Sequence, residues 1–155
     1  MNDLTIEQVR SEADSARLYA LLWEVLWKPL GFPRNVRELF KLEGESLAFI
    51  AKSQGELQGG LVASWTSPTE VELCHIGLKP EAQNQGVGRQ LVNVLLGTLA
   101  QSKCARIHVI ARNTSAGFFR KLGFTTSPGK SPQHPVFAKQ GIRFELLEMD
   151  VEQPG

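Results

Sequence analysis

Between Leu78 and Val92 the chain reads Leu78-Lys79-Pro80-Glu81-Ala82-Gln83-Asn84-Gln85-Gly86-Val87-Gly88-Arg89-Gln90-Leu91-Val92, and few local structures accommodate that order. A β-branched, apolar run from Val71 to Leu78 enters a loop opened by Pro80, two glycines follow one residue apart, and apolar residues then recur at helical spacing. The pattern predicts strand, loop and helix. With no Cβ at Gly86 and Gly88 a polyanion can approach the backbone, and the unpaired N–H groups of the helix's first turn face it with the positive end of the dipole. The stretch therefore predicts a pyrophosphate cradle.

Two common nucleotide loops do not fit. A dinucleotide fingerprint needs a third glycine where Leu91 stands, and a phosphate-binding P-loop needs Lys-Ser/Thr where Arg89-Gln90 follows Gly88. What remains, Gln83-x-x-Gly86-x-Gly88 after a Leu-x-Pro lead-in, resembles the acetyl-CoA motif of the GNAT-superfamily N-acetyltransferases. The resemblance covers roughly Leu47 to Val151 and is strongest from Glu70 to Phe124. It implies acetyl-CoA as cosubstrate and no metal. Pantetheine would be held along Ile76, Gly77 and Leu78, and the pyrophosphate by Gln83, Asn84, Gln85, Gly86, Val87, Gly88 and Arg89.

A second signature supports the same family. After a β-rich run from Ala105 to Ala111, the segment Arg112-Asn113-Thr114-Ser115-Ala116-Gly117-Phe118-Phe119-Arg120-Lys121-Leu122-Gly123-Phe124 resembles the family's short helix, with Gly123 as the helix stop. Phe118 and Phe119 would lie against the cofactor, and Asn113 would contact the pantetheine arm, although its spacing to Gly123 is one residue short of the commonest pattern. Phe119 departs from the family: the position usually holds a tyrosine able to protonate the leaving thiolate. Tyr19, the only tyrosine, lies far back on the first helix.

Net charge is +1, which excludes a general attraction to nucleic acid or membrane, yet the charges are unevenly placed. No Asp or Glu occurs from Ala82 to Phe144, while nine basic residues do; residues 1–81 carry eight basic and twelve acidic side chains. Such a field steers a phosphorylated cofactor to one side and a cationic acceptor to the other, though chance asymmetry accounts for the acidic half equally well. Cys74 and Cys104 have no metal-ligand spacing, and no apolar run reaches membrane-span length or follows a signal-peptide pattern. A reducing cytoplasm is the expected location.

Taken in order, Met1–Arg10 alternates as a first strand, and Leu18, Leu21, Leu22, Val25 and Leu26 mark an amphipathic helix that Pro29 and Gly31 terminate. A second, shorter helix is expected from the Pro33-Arg34-Asn35 turn to about Leu42, and the aromatics Trp23, Trp27 and Phe32 read as packing. Leu47–Ala51, Leu57–Trp65 and Glu70–Leu78 predict three antiparallel strands in sequence, with Gly59-Gly60 marking a bulge or a close neighbour. Thr125–Pro135 reads as a mobile loop, and Ile142–Val151 as the strand that closes the sheet.

Strict alternation along Val71–Leu78 places Glu72, Cys74, Ile76 and Leu78 on one face and His75 with Gly77 on the other. Glu72 falls where histone-acetylating members of the family carry a general base; an ordinary strand carboxylate is the equal alternative. His75 is expected to face away, since a family-like bulge at Gly77 would come too late to turn it. Cys74 reads as a small apolar filler.

The expectation is therefore an α/β fold, one domain over residues 1–155, with a mixed, mostly antiparallel sheet of six or seven strands, helices on both faces and the cofactor wedged where two central strands splay. The expected activity is acetyl transfer from acetyl-CoA to a primary amine, small-molecule or peptide, in a ternary complex, with the first two helices bordering the acceptor. A non-catalytic acyl-CoA-binding module is the alternative that Phe119 favours. Neither nucleic acid nor membrane is an expected partner, and a homodimer is left open.

Overall fold

The computed structural model describes residues 3–36 and 44–152. Seven strands form one sheet: β1 (Leu4–Gln8), β2 (Ser46–Ser53), β3 (Glu56–Ser67), β4 (Glu70–Leu78), β5 (Arg106–Arg112), β6 (Thr125–Thr126) and β7 (Phe144–Asp150), in the spatial order β1-β2-β3-β4-β5-β7-β6. Every pairing is antiparallel except β4 with β5, which are parallel because helix α2 (Val87–Ala100) carries the crossover between them. The strand expected to close the sheet lies one place inside the edge, with two-residue β6 beyond it.

Helix α1 (Glu12–Leu22) covers one face. Ser11 caps it by accepting from the Asp14 N–H at 3.1 Å, and Leu18, Leu21 and Leu22 bury a core with Ile50 and Val62. The apolar positions Val25 and Leu26 continue the helical path through a π turn (Trp23–Trp27), then a 3-10 turn (Lys28–Leu30) ending on Gly31 at φ 81°. Residues 34–36 form one further turn; the rest of the expected second helix lies outside the described residues.

On the other face, α2 presents Val87, Leu91, Val92, Leu95 and Leu99 at helical spacing to Leu61, Ala63, Val71 and Leu73. Helix α3 (Ala116–Lys121) adds Phe119 to this core and is stopped by Gly123 at φ 108°. Helix α4 (Pro135–Ala138), too short to show in the sequence pattern, buries Phe137 on the α1 side.

The faces of β4 differ from strict alternation. His75 stands opposite Val62 and Leu73 opposite Ala63, so Cys74 is an extra residue, a β-bulge three residues before Gly77. Parity reverses there. Glu72 and His75 share the α1 face, where His75 meets the Trp27 ring edge-on at 5.0 Å, and Ile76 and Leu78 turn to the α2 core. The Gly59-Gly60 pair fulfils both readings: Gln58 is a bulge residue beside it, and Leu78 and Leu18 pack where their Cβ atoms would be.

The segment after β6 is pinned to β7. The Ser127 N–H donates to the Leu146 carbonyl at 2.9 Å, the Leu146 N–H donates to Ser131 Oγ at 2.9 Å, and Gln133 both accepts from the Phe144 N–H at 3.1 Å and donates to its carbonyl at 2.9 Å. The loop composition is correct, but these side-chain oxygens and amides replace a partner strand and fix it.

Gly77 lets α1 lie directly on β4: a Cβ there would stand 2.7 Å from Val25 Cγ2 and 3.0 Å from Leu22 Cδ2. Gly77→Ala is expected to cost about 1–3 kcal/mol through overpacking, read as a lower denaturant midpoint with an unchanged slope.

Candidate active site

The ladder between β4 and β5 has four rungs, from Glu70 opposite Arg106 to Leu73 opposite Val109. Beyond it β4 continues to Leu78 against β3, and β5 to Arg112 against β7, with nothing joining them. The sheet splits where Cys74 is inserted, as the added local twist of a bulge requires. A cavity of about 280 Å³ occupies the split.

Its floor is Glu72–Ile76 of β4 and Val109–Arg112 of β5. Leu26 and Trp27 of the π turn form one wall, and Pro132–His134, Phe137 and Phe144 form the cover. Phe119 of α3 and Ser115 just before that helix also line it, so the cavity runs into the gap between the two halves of the sheet. Arg112 braces the α1 side: its Nη2 donates to the Leu26 carbonyl at 3.0 Å and its guanidinium lies 5.5 Å from the Phe137 ring centre. Burial lowers the Arg112 pKa.

Glu72 lines this cavity, and its Oε1 lies 3.1 Å from Nε2 of His108, its cross-strand partner on β5. Cys74 stands beside it. Burial, reinforced by the Glu72 charge, pushes the Cys74 thiol up to about 12. Tyr19, on α1 and half-buried against its core, does not line the cavity.

The loop from Gln83 to Arg89 leads from the end of β4 into α2. Asn84 at φ 64° and Gly86 at φ 82° make the turn, and Gly86 leaves the helix start without a side-chain cap. The first intrahelical bond runs from the Gln90 N–H to the Gly86 carbonyl at 3.1 Å, so the N–H groups of Val87, Gly88 and Arg89 have no acceptor within the helix. Two side chains brace the loop instead of projecting from it: Gln83 donates to the Leu78 carbonyl at 3.4 Å and Gln85 to the Glu81 carbonyl at 2.7 Å. Arg89 is exposed, with no ion pair among the described residues.

The two glycines differ in use. Space around Gly86 is open, whereas a Cβ on Gly88 would stand 3.1 Å from the Phe118 ring, so Gly88 serves α2–α3 packing. Phe118 in turn meets Phe119 at 5.0 Å, carrying a continuous contact from the loop to the cavity wall. Asn113 uses its side-chain oxygen to accept from the Arg143 N–H at 3.0 Å, tying the end of β5 to the chain entering β7. Thus the structure brings Ile76–Leu78, the glycine loop, Phe118 and Phe119 along one path, with Glu72 at the cavity and Asn113 at its edge.

Sequence reasoning missed His108, Gln133, His134 and Phe137, and favoured packing over a pocket for Trp27. Trp23 does pack as expected, donating to the Phe32 carbonyl at 3.0 Å. No local signal marks His108, because only the β4–β5 register puts it against Glu72. Among the described residues no group of three or more His, Cys, Asp or Glu is arranged to hold a metal, and no helix is long and apolar enough to cross a membrane.

A parallel crossover entering an uncapped helix beside a split sheet defines an acyltransferase fold of the N-acetyltransferase type. Residues 13–124 match the acetyltransferase (GNAT) family, and the chain belongs to that family. Solved structures agree in fold. A putative N-acetyltransferase from Lactobacillus plantarum superposes with a TM-score of 0.80 at 16% identity, covering 97% of this chain and 99% of that one. The ribosomal-protein-S18-alanine N-acetyltransferase from Escherichia coli gives 0.72 at 18% identity, covering 98% and 96%. The PaiA N-acetyltransferase from Thermoplasma acidophilum, solved with coenzyme A, gives 0.68 at 17% identity, covering 94% and 99%.

The Cys74 thiol, pushed up to about 12, is protonated at neutral pH and a poor nucleophile. Intact-mass spectrometry after incubation with acetyl-CoA is expected to show no acetylated Cys74, and Cys74→Ala to keep the wild-type rate within a few-fold.

Proposed function

We propose that the chain transfers the acetyl group of acetyl-CoA to a primary amine by direct attack within a ternary complex, over one domain spanning residues 1–155. The observation that carries this is the position of the split: it runs from the uncapped start of α2 to a cavity walled by a carboxylate. The residues fit the cosubstrate. The N–H groups of Val87, Gly88 and Arg89, with the Arg89 charge, form the pyrophosphate site, and open Gly86 admits it to the backbone. The edge of β4 at Ile76, Gly77 and Leu78, which β5 leaves uncovered, is where pantetheine amides would pair. Phe118 and Phe119 line the path; Asn113 contributes through its amide NH₂ alone, its oxygen being held by Arg143.

Acetyl-CoA supplies an acyl thioester with a readily departing thiolate, thiols ordinarily titrating near 8.5. Glu72 draws a proton from the acceptor's ammonium form, directly or through water, so that the lone pair of the neutral amine can attack. Phe119, 2% exposed and without a hydroxyl, provides no acid, and water protonates the thiolate. The acceptor enters on the α1 side between the π turn and the Pro132–Phe137 cover. The two free thiols suit a reducing cytoplasm.

The absence of a hydroxyl at Phe119 favours one competitor, an acyl-CoA-binding module of the same fold without turnover. An amine panel with thiol detection separates them: acceptor-dependent CoA release marks the enzyme, and binding without release marks the module. On the best acceptor, Glu72→Gln is expected to lower kcat by ~10²–10⁴-fold while sparing acetyl-CoA affinity, the loss shrinking as pH rises and more amine is already neutral.

Gly86→Asp tests the cradle separately. Aspartate tolerates the left-handed region better than most residues, so the turn is expected to survive while its carboxylate repels the pyrophosphate. Calorimetry should then show CoA affinity at least ~10-fold weaker, about 1.4 kcal/mol; unchanged affinity would remove the loop from the cofactor site.

A further inference from the structure

We infer that His108 is the positioning residue of the Glu72 base, fixing the direction of its carboxylate. This rests on the acetyl-transfer reading and deepens it. Glu72 and His108 are partners on the third of the four β4–β5 rungs, at the point where the two strands are still held before the split. His108 Nε2 and Glu72 Oε1 lie 3.1 Å apart, with side chains 19% and 18% exposed. Only Glu72 lines the cavity, so His108 acts from behind it. The contact with His108 is made through Oε1.

The surroundings isolate this pair. Opposite His108 on β7 is Glu148, whose carboxylate lies 3.6 Å from Nε of Arg106, two residues back on β5. Arg106 also reaches Glu70 at 3.9 Å and Asp150 at 3.6 Å, so the neighbouring acids share a cation of their own. On β3, Ser64 stands opposite Glu72. On β4, Cys74 is a neutral thiol, and His75, on the same face, is turned to Trp27. The carboxylate that meets His108 directly is therefore that of Glu72.

With its proton on Nε2, His108 donates to Oε1 and holds the carboxylate in place to accept the proton that the acceptor ammonium loses.

The test uses the full chain and the best amine of the panel. His108→Ala is expected to lower kcat about 10- to 100-fold, part of the ~10²–10⁴ worth of a positioned base, with KM for acetyl-CoA unchanged. In His108→Gln the amide nitrogen takes the place of Nε2 and donates without titrating. It is expected to recover kcat to within a few-fold of the wild type, again with KM for acetyl-CoA unchanged. A wild-type rate in His108→Ala or failure of glutamine to restore it would each overturn the role while leaving the acetylation reading intact.

Should the alanine variant fold poorly, His108→Phe, which fills the space without a donor, decides in its place, and a kcat within a few-fold of the wild type overturns the role. If the wild type releases no CoA with any amine, the acetylation reading itself fails and takes the positioning role with it.

Discussion

Four backbone rungs, ending where Leu73 meets Val109, are all that join β4 to β5, and the site depends on their stopping there. Had the ladder continued, the backbone of Ile76–Leu78 would be paired and the cavity filled by strand. The inserted Cys74 ends it: an extra residue on one strand over-twists the chain locally, and β4 leaves with β3 while β5 leaves with β7. Each half keeps its own antiparallel partners, so opening the middle sacrifices no pairing elsewhere.

The same insertion chooses the chemistry that faces the gap. It brings His75 to the α1 side with Glu72 and sends Ile76 and Leu78 into the α2 core. It also seats the Cys74 thiol in a half-buried position beside a carboxylate. Carboxylate and thiol stand two positions apart, and desolvation with the Glu72 charge keeps the thiol protonated.

Element types were legible because they are local. The period of α2, the apolar runs of β2–β4 and the glycine stops at Gly31 and Gly123 all sit within a few residues of what they determine. The open turn at Gly86 was legible for the same reason. The faces of β4 were not, since nothing in Leu73-Cys74-His75 distinguishes a bulge from a regular strand. His108 was hidden by register, a relation between residues 36 positions apart. Gly88 was assigned to phosphate access alone, because the aromatic that needs its missing side chain lies on another helix.

Gln133 and Ser131 act on β7 in place of a strand, and this bears on how the protein keeps to itself. Two-residue β6 covers only Leu147 and Glu148, which would leave the backbone of Phe144 and Leu146 as an open sheet border. A border of that kind is a template for a foreign strand. The Ser127 and Gln133 groups already occupy its N–H and C=O positions, and Ser131 adds a third contact. Sheet growth from one molecule into the next is blocked at this end by side chains that cannot themselves be extended, so the cover that shapes the cavity also protects the chain against aggregation.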